Sequence, residues 1–116
     1  LRMILSAVLI SLSGFASAET YICSLIHFGE VEITKFTRKS NKQFSAQTTF
    51  TDGRIGDPDT TSIWSETEQL IHLGTVYRGS SIIYIIDKKT KQALYFYSSP
   101  SLDIEQKASQ ARCVLN

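Results

Sequence analysis

Two histidines, His27 and His72, are the first residues to consider as acid–base groups or metal ligands. Each sits in an apolar run, Leu25-Ile26-His27-Phe28 and Leu70-Ile71-His72-Leu73. A catalytic base needs a carboxylate to orient it. Glu30 lies near His27 in sequence, but nothing in the spacing aims it there. Both histidines are therefore expected to be ordinary strand residues. Asp52, Asp57 and Asp59 share one glycine-containing loop, yet their spacing is not that of an EF-hand. Aspartates in such a loop normally bond to nearby backbone N–H groups. Glu66 and Glu68 alternate along one segment and read as a solvated face more than as a glycosidase pair. No G-x-S-x-G, H-E-x-x-H, P-loop or dinucleotide-binding glycine pattern is present. No catalytic residue, metal ligand or cofactor-binding residue is therefore assigned, and no cofactor is expected.

The remaining reactive side chains are Cys23 and Cys113. How they read depends on the compartment. Residues 3–12 form a short apolar run, well under the ~20 residues needed to span a bilayer. Gly14 and then Ala16-Ser17-Ala18 follow, which is the pattern of a secretory leader with cleavage between Ala18 and Glu19. In an oxidising compartment two cysteines in a small domain pair. The expected product is one bond joining the start of the mature chain to its end. A redox pair would come as C-x-x-C, which is absent.

Composition excludes other classes. The chain has 116 residues, room for one domain, expected over residues 19–116. At 42% hydrophobic and 20% charged it is too apolar for a disordered tail. The net charge is +1 and loses Arg2 with the leader, so the surface offers no electrostatic footprint for nucleic acid. No membrane anchor is expected once the leader is removed. The expected location is periplasmic or secreted.

Between the cysteines no 3.6-residue apolar period persists. Short β-branched or alternating runs recur instead, separated by turn signals. The spacing predicts strands over 20–26, 30–37, 43–51, 62–68, 69–77, 81–87, 92–98 and 110–115. Residues 102–105 fit a further short strand, and the stretch to Ser109 fits one helical turn equally well. In the second strand Val31 and Ile33 share a face while Phe36 is out of phase, which predicts a bulge near Thr34–Lys35. Seven to nine short strands with tight turns imply an all-β antiparallel meander, closed as a barrel or packed as a sandwich. A bond between first and last strands favours closure. The bulky apolar residues predict a filled interior with at most a small cavity.

The hairpin over 81–98 is apolar on both faces: Ile82, Tyr84 and Ile86 against Ile83 and Ile85, then Leu94 and Phe96 against Ala93, Tyr95 and Tyr97. A barrel strand needs one apolar face. The surplus is either covered by the chain's own residues 99–109 or left exposed as a partner surface. Tyr84, Tyr95, Phe96 and Tyr97 are the candidate anchors for another protein or a second copy of the chain. The layout of leader, Tyr21-Ile22-Cys23, strand meander and terminal Cys113 resembles that of small secreted bacterial β-barrel proteins, a group that includes periplasmic inhibitors of lysozyme. Trp64 with Leu70 echoes that family's Trp and downstream Leu, but the Lys-Gly after the Trp is missing. Gly79-Ser80-Ser81 followed by Tyr84 departs from its Ser-Gly-x-x-Tyr loop, so no functional residue is carried over. The sequence thus leads to a non-catalytic binding protein acting through an aromatic surface patch. A hydrolase inhibitor and a small-ligand carrier are the alternatives.

Overall fold

The computed structural model describes residues 19–27, 29–77, 79–99 and 104–115. Eight antiparallel strands follow one another and close into a barrel: β1 (Thr20–His27), β2 (Glu30–Arg38), β3 (Gln43–Phe50), β4 (Asp59–Glu66), β5 (Leu70–Tyr77), β6 (Ser80–Asp87), β7 (Gln92–Ser99) and β8 (Ile104–Leu115). Each strand pairs with its sequence neighbour, and β8 pairs back onto β1. Closure leaves no strand edge to template aggregation. The leader assigned over residues 1–18 lies outside the described residues.

Alternation sets the interior. Tyr21, Cys23 and Leu25 point inward from β1, Ile71 and Leu73 from β5, and Tyr84 and Ile86 from β6. Ala93 and Tyr95 of β7 and Ala111 and Cys113 of β8 complete the ring. Rings interlock across it: Tyr21 stacks on Phe44 at 5.4 Å, Phe36 meets Tyr84 edge-on at 4.9 Å, and Tyr84 meets Tyr95 at 5.0 Å. Such offset and edge-on pairs are the favoured aromatic geometries. The Cys23–Cys113 disulfide crosses the closing seam, where the two residues are direct register partners.

Turn chemistry is local. Gly79 reaches φ 81° at the β5–β6 hairpin, a conformation that costs a residue with a Cβ. At the β6–β7 turn Lys91 has φ 65°, held by its N–H on the Asp87 carbonyl at 2.8 Å. The Asp87 side chain accepts from the N–H groups of Lys89 and Thr90 at 2.9 and 3.1 Å.

Three expectations are corrected. The pairing of β2 with β1 and with β3 runs unbroken, so there is no bulge at Thr34–Lys35. Phe36 shares the inner face with Thr34, while Val31 and Ile33 face outward at 41% and 44% exposure. The irregularity lies in β4 instead, where Ile63 pairs with Leu73 but Ser65 pairs with His72. Trp64 is the extra residue, and its ring lies over Gly74, where an added Cβ would stand 2.2 Å from the indole. Finally, the described part of the C-terminal region is one strand from Ile104, with no helical turn before Ser109. That strand pairs with β7 and so extends the wall rather than covering its outer face.

Candidate functional site

The two ends of the barrel differ in chemistry. At one end Arg38 at the end of β2 donates from Nε to Glu19 and from Nη2 to Glu66, both at 2.5 Å. Lys88 Nζ reaches the same Glu66 oxygen at 2.7 Å, and the Tyr21 hydroxyl donates to Glu19. The guanidinium also lies 4.8 Å from the centre of the Phe44 ring. The β4 bulge makes this possible. It shifts the alternation by one residue, so that Glu66 pairs with inward-facing Ile71 and turns toward Arg38. Burial pushes the Glu66 carboxyl up, but hydrogen bonds from Arg38 and Lys88 outweigh it and hold the group below its usual range. This end is plugged by a satisfied charge network over a packed apolar layer.

The other end is open. A cavity of about 320 Å³ enters between β2, β3, β4, β5, β6 and β7. Phe36, Phe50, Leu73 and Ile82 supply apolar wall. Threonine hydroxyls are paired across strands within it: Thr34 with Thr48 and Thr61 with Thr75, each at 2.8 Å. Glu32, two residues before Thr34 on the same face, brings a carboxylate into the cavity, with Asp57 and Asp59 at its rim. The rim is shaped by the β3–β4 connection folding back on β3. Gly56 N–H bonds the Thr48 carbonyl at 2.8 Å, and Phe50 N–H bonds the Arg54 carbonyl at 2.9 Å. The nearby Arg54 guanidinium is committed outside, to Asp52 at 2.5 Å and Glu30 at 3.1 Å, over the Phe50 ring. No Lys or Arg lines the cavity among the described residues.

Two polar groups in this cavity have no described protein partner. Glu32 takes no hydrogen bond or ion pair, and burial, then the neighbouring Glu30 charge, raises its carboxyl above the usual value. Tyr95 is 4% exposed and its hydroxyl makes no hydrogen bond. Because no fully enclosed side-chain N or O lacks a partner among the described residues, that hydroxyl keeps some accessible surface, and Tyr95 is part of the cavity lining. Burial pushes the Tyr95 phenol up, and the Glu32 charge adds to the rise. Burial likewise raises Tyr84, against the opposing hydrogen bond of Thr34.

The four aromatic residues expected at one partner surface do not share it. Tyr84 and Tyr95 are core residues, each 4% exposed, and Tyr97 packs against that core with its hydroxyl 3.4 Å from Ser80 Oγ. Phe96 faces the other way, beside Ile83 across the β6–β7 pairing. Strand alternation forbids Tyr95 and Phe96 a common face. His27 lies edge-on to Tyr95 and Tyr97 at 5.2 and 5.0 Å, while Glu30 serves Arg54. Asp52 forms a local turn, accepting from the Arg54 N–H at 3.0 Å. Among the described residues no group of three Asp, Glu, His or Cys could hold a metal ion. Sequence reasoning missed Glu32 and the threonine pairs. The available signal was the in-phase series Glu32, Thr34, Phe36, which only a barrel with a partly polar interior makes sensible. A wider recess of about 760 Å³ is lined by Ile26, Val31, Leu70 and Leu94. Asp87, at its edge, is already bonded within its own turn.

No protein-family model matches the chain, and no curated protein or solved structure shows significant similarity to it.

Proposed function

We propose that this is a non-catalytic binding protein, exported to the periplasm or beyond, that takes a small ligand in the open end of its barrel. The observation that carries this reading is the cavity of about 320 Å³ whose lining includes Glu32 and Tyr95, neither polar group having a described partner. Small-molecule sites are concave, mostly apolar, and carry a few convergent polar groups, often in the mouths of β-barrels. Polar groups left without a partner inside a fold lower its stability, and a ligand that completes their bonding recovers the loss. This favours the interior over the sheet surface, since Tyr84 and Tyr95 lend their rings to the cavity wall. Export is supported by the leader-like residues 3–18 and by a disulfide of the kind kept in oxidising compartments.

The test is a small-fragment screen by amide-resolved NMR on the purified, disulfide-intact protein. Binders should shift the signals of Thr34, Thr48, Thr61, Thr75 and Tyr84 together. A screen whose binders all shift residues of the outer face, such as Val31, Leu94 and Phe96, overturns the reading.

A further inference from the structure

We infer that the ligand is a small organic cation, its ammonium group held by the Glu32 carboxylate and the Tyr95 hydroxyl and its apolar body lying against Phe36, Phe50 and Leu73. This rests on the reading of the cavity as a ligand site. Among the described residues every formal charge lining it is negative: Glu32, Asp57 and Asp59. Arg54, the described arginine near its rim, is spent on Asp52 and Glu30. A carboxylate half-withdrawn from water without a counter-ion is an uncompensated charge. A bound ammonium supplies that counter-ion, and its N–H groups give the carboxylate and the phenol oxygen the donors they lack.

Other ligand classes fit less well. An anion would meet three like charges. A divalent metal needs several oxygens converging on one point, and no such group of three exists among the described residues. Four of the wall threonines already satisfy one another in pairs, so a polyhydroxylated ligand finds few free donors there. A cation with an apolar stem matches the rest of the lining. Phe36, Phe50, Tyr84 and Tyr95 line it with aromatic surface, which gives apolar contact and suits a cation better than an anion.

Three probes of one framework separate the possibilities: phenethylammonium, 2-phenylethanol and phenylacetate, titrated into the disulfide-intact protein by calorimetry and NMR. The ammonium probe should bind about tenfold more tightly than the alcohol, the size of one charge-assisted hydrogen bond, and phenylacetate should bind least. Glu32→Gln keeps the side-chain shape and should reduce the ammonium probe to the level of the alcohol. Tyr95→Phe, which keeps the ring packing, should weaken the ammonium probe several-fold and leave the alcohol less affected. Equal binding of alcohol and ammonium, or a Glu32→Gln protein that still prefers the ammonium, overturns the cation assignment and leaves the cavity reading standing. Absence of shifts at the cavity threonines with all three probes, and with the neutral fragments of the wider screen, overturns both.

Discussion

Removing the Cys23–Cys113 bond gives the most quantitative check on how the barrel is held closed. The bond closes a loop with a sequence separation of 90 residues. In the chain-entropy account a loop of that length removes about 4.6 kcal/mol of unfolded-state freedom. Total stabilities of small domains are about 5–15 kcal/mol, so the bond represents a third or more of what holds the fold. It also sits where the described pairing is short. β1 and β8 share four register pairs, Tyr21–Leu115 to Ser24–Arg112, against eight between β1 and β2. Both sulfurs lie in the core, at residues 0% and 4% exposed, so a Cys23→Ala/Cys113→Ala protein loses packing as well. Two truncated atoms add about 1 kcal/mol. The double variant should therefore lose about 3–5 kcal/mol of unfolding free energy, in the range of about 2–5 kcal/mol typical of removing a native bridge from a small domain. Denaturant unfolding followed by far-UV circular dichroism measures it, and the reduced wild-type protein separates cross-link from packing. The denaturant slope should also rise, since the unfolded chain opens further without its tether. A loss below about 1 kcal/mol with an unchanged slope would refute the idea that the seam depends on the cross-link.

Four further outcomes follow from individual contacts. Arg38→Met should cost about 1–2 kcal/mol, because it leaves Glu19 only the Tyr21 hydroxyl and Glu66 only Lys88 while their side chains are only partly exposed. The wild-type contribution from Glu66 should vanish on acidification: its folded carboxyl lies below the unfolded value, so the stability is present above that value and is lost as pH falls through the folded one, which urea midpoints across pH 2–6 will track. Glu32→Gln should stabilise the ligand-free protein at neutral pH; the Glu32 carboxyl is raised on folding, so its penalty appears as pH rises through the folded value and is absent in acid, and a variant less stable than wild type at pH 7 contradicts this. Gly74→Ala should displace the Trp64 ring at a cost of about 1–2 kcal/mol and shift its fluorescence, whereas in a Trp64→Ala background the same change should be nearly neutral, a non-additivity that a double-mutant cycle reads directly.

Much of the wall was legible and much of the lumen was not. Strand positions follow from turn chemistry and from alternation in runs such as Phe44-Ser45-Ala46-Gln47, and Cys23 with Cys113 pointed to a closed sheet. β4 begins at Asp59, within the stretch read as loop, because Thr60 and Thr61 look like turn residues while their backbones pair with Ser45 and Phe44. β2 misleads because both faces carry strand-forming residues: Val31 and Ile33 are apolar yet outward, and Glu32 and Thr34 are polar yet inward. Periodicity gives two faces but not which one is inside. A one-residue difference reverses every side chain, so the bulge at Trp64, invisible in composition, decides alone that Glu66 turns inward. The cavity follows the same logic: its hydroxyls read as solvent-facing until their cross-strand partners are known.

The division of the lumen connects stability to function. The Tyr21–Phe44 stack and the Arg38 network lie toward one end, where the described polar groups are engaged. Toward the other end Glu32 and the Tyr95 hydroxyl are left without partners and the wall stands open. A barrel under selection for stability alone would fill that space with aliphatic side chains, as it does around Ile71 and Ile86, both 0% exposed. Functional sites tend to be the places where a fold tolerates local cost. Stabilisation by Glu32→Gln together with loss of ammonium binding would tie that cost to recognition. Stabilisation without any loss of binding would instead make Glu32 a packing defect and detach it from the ligand.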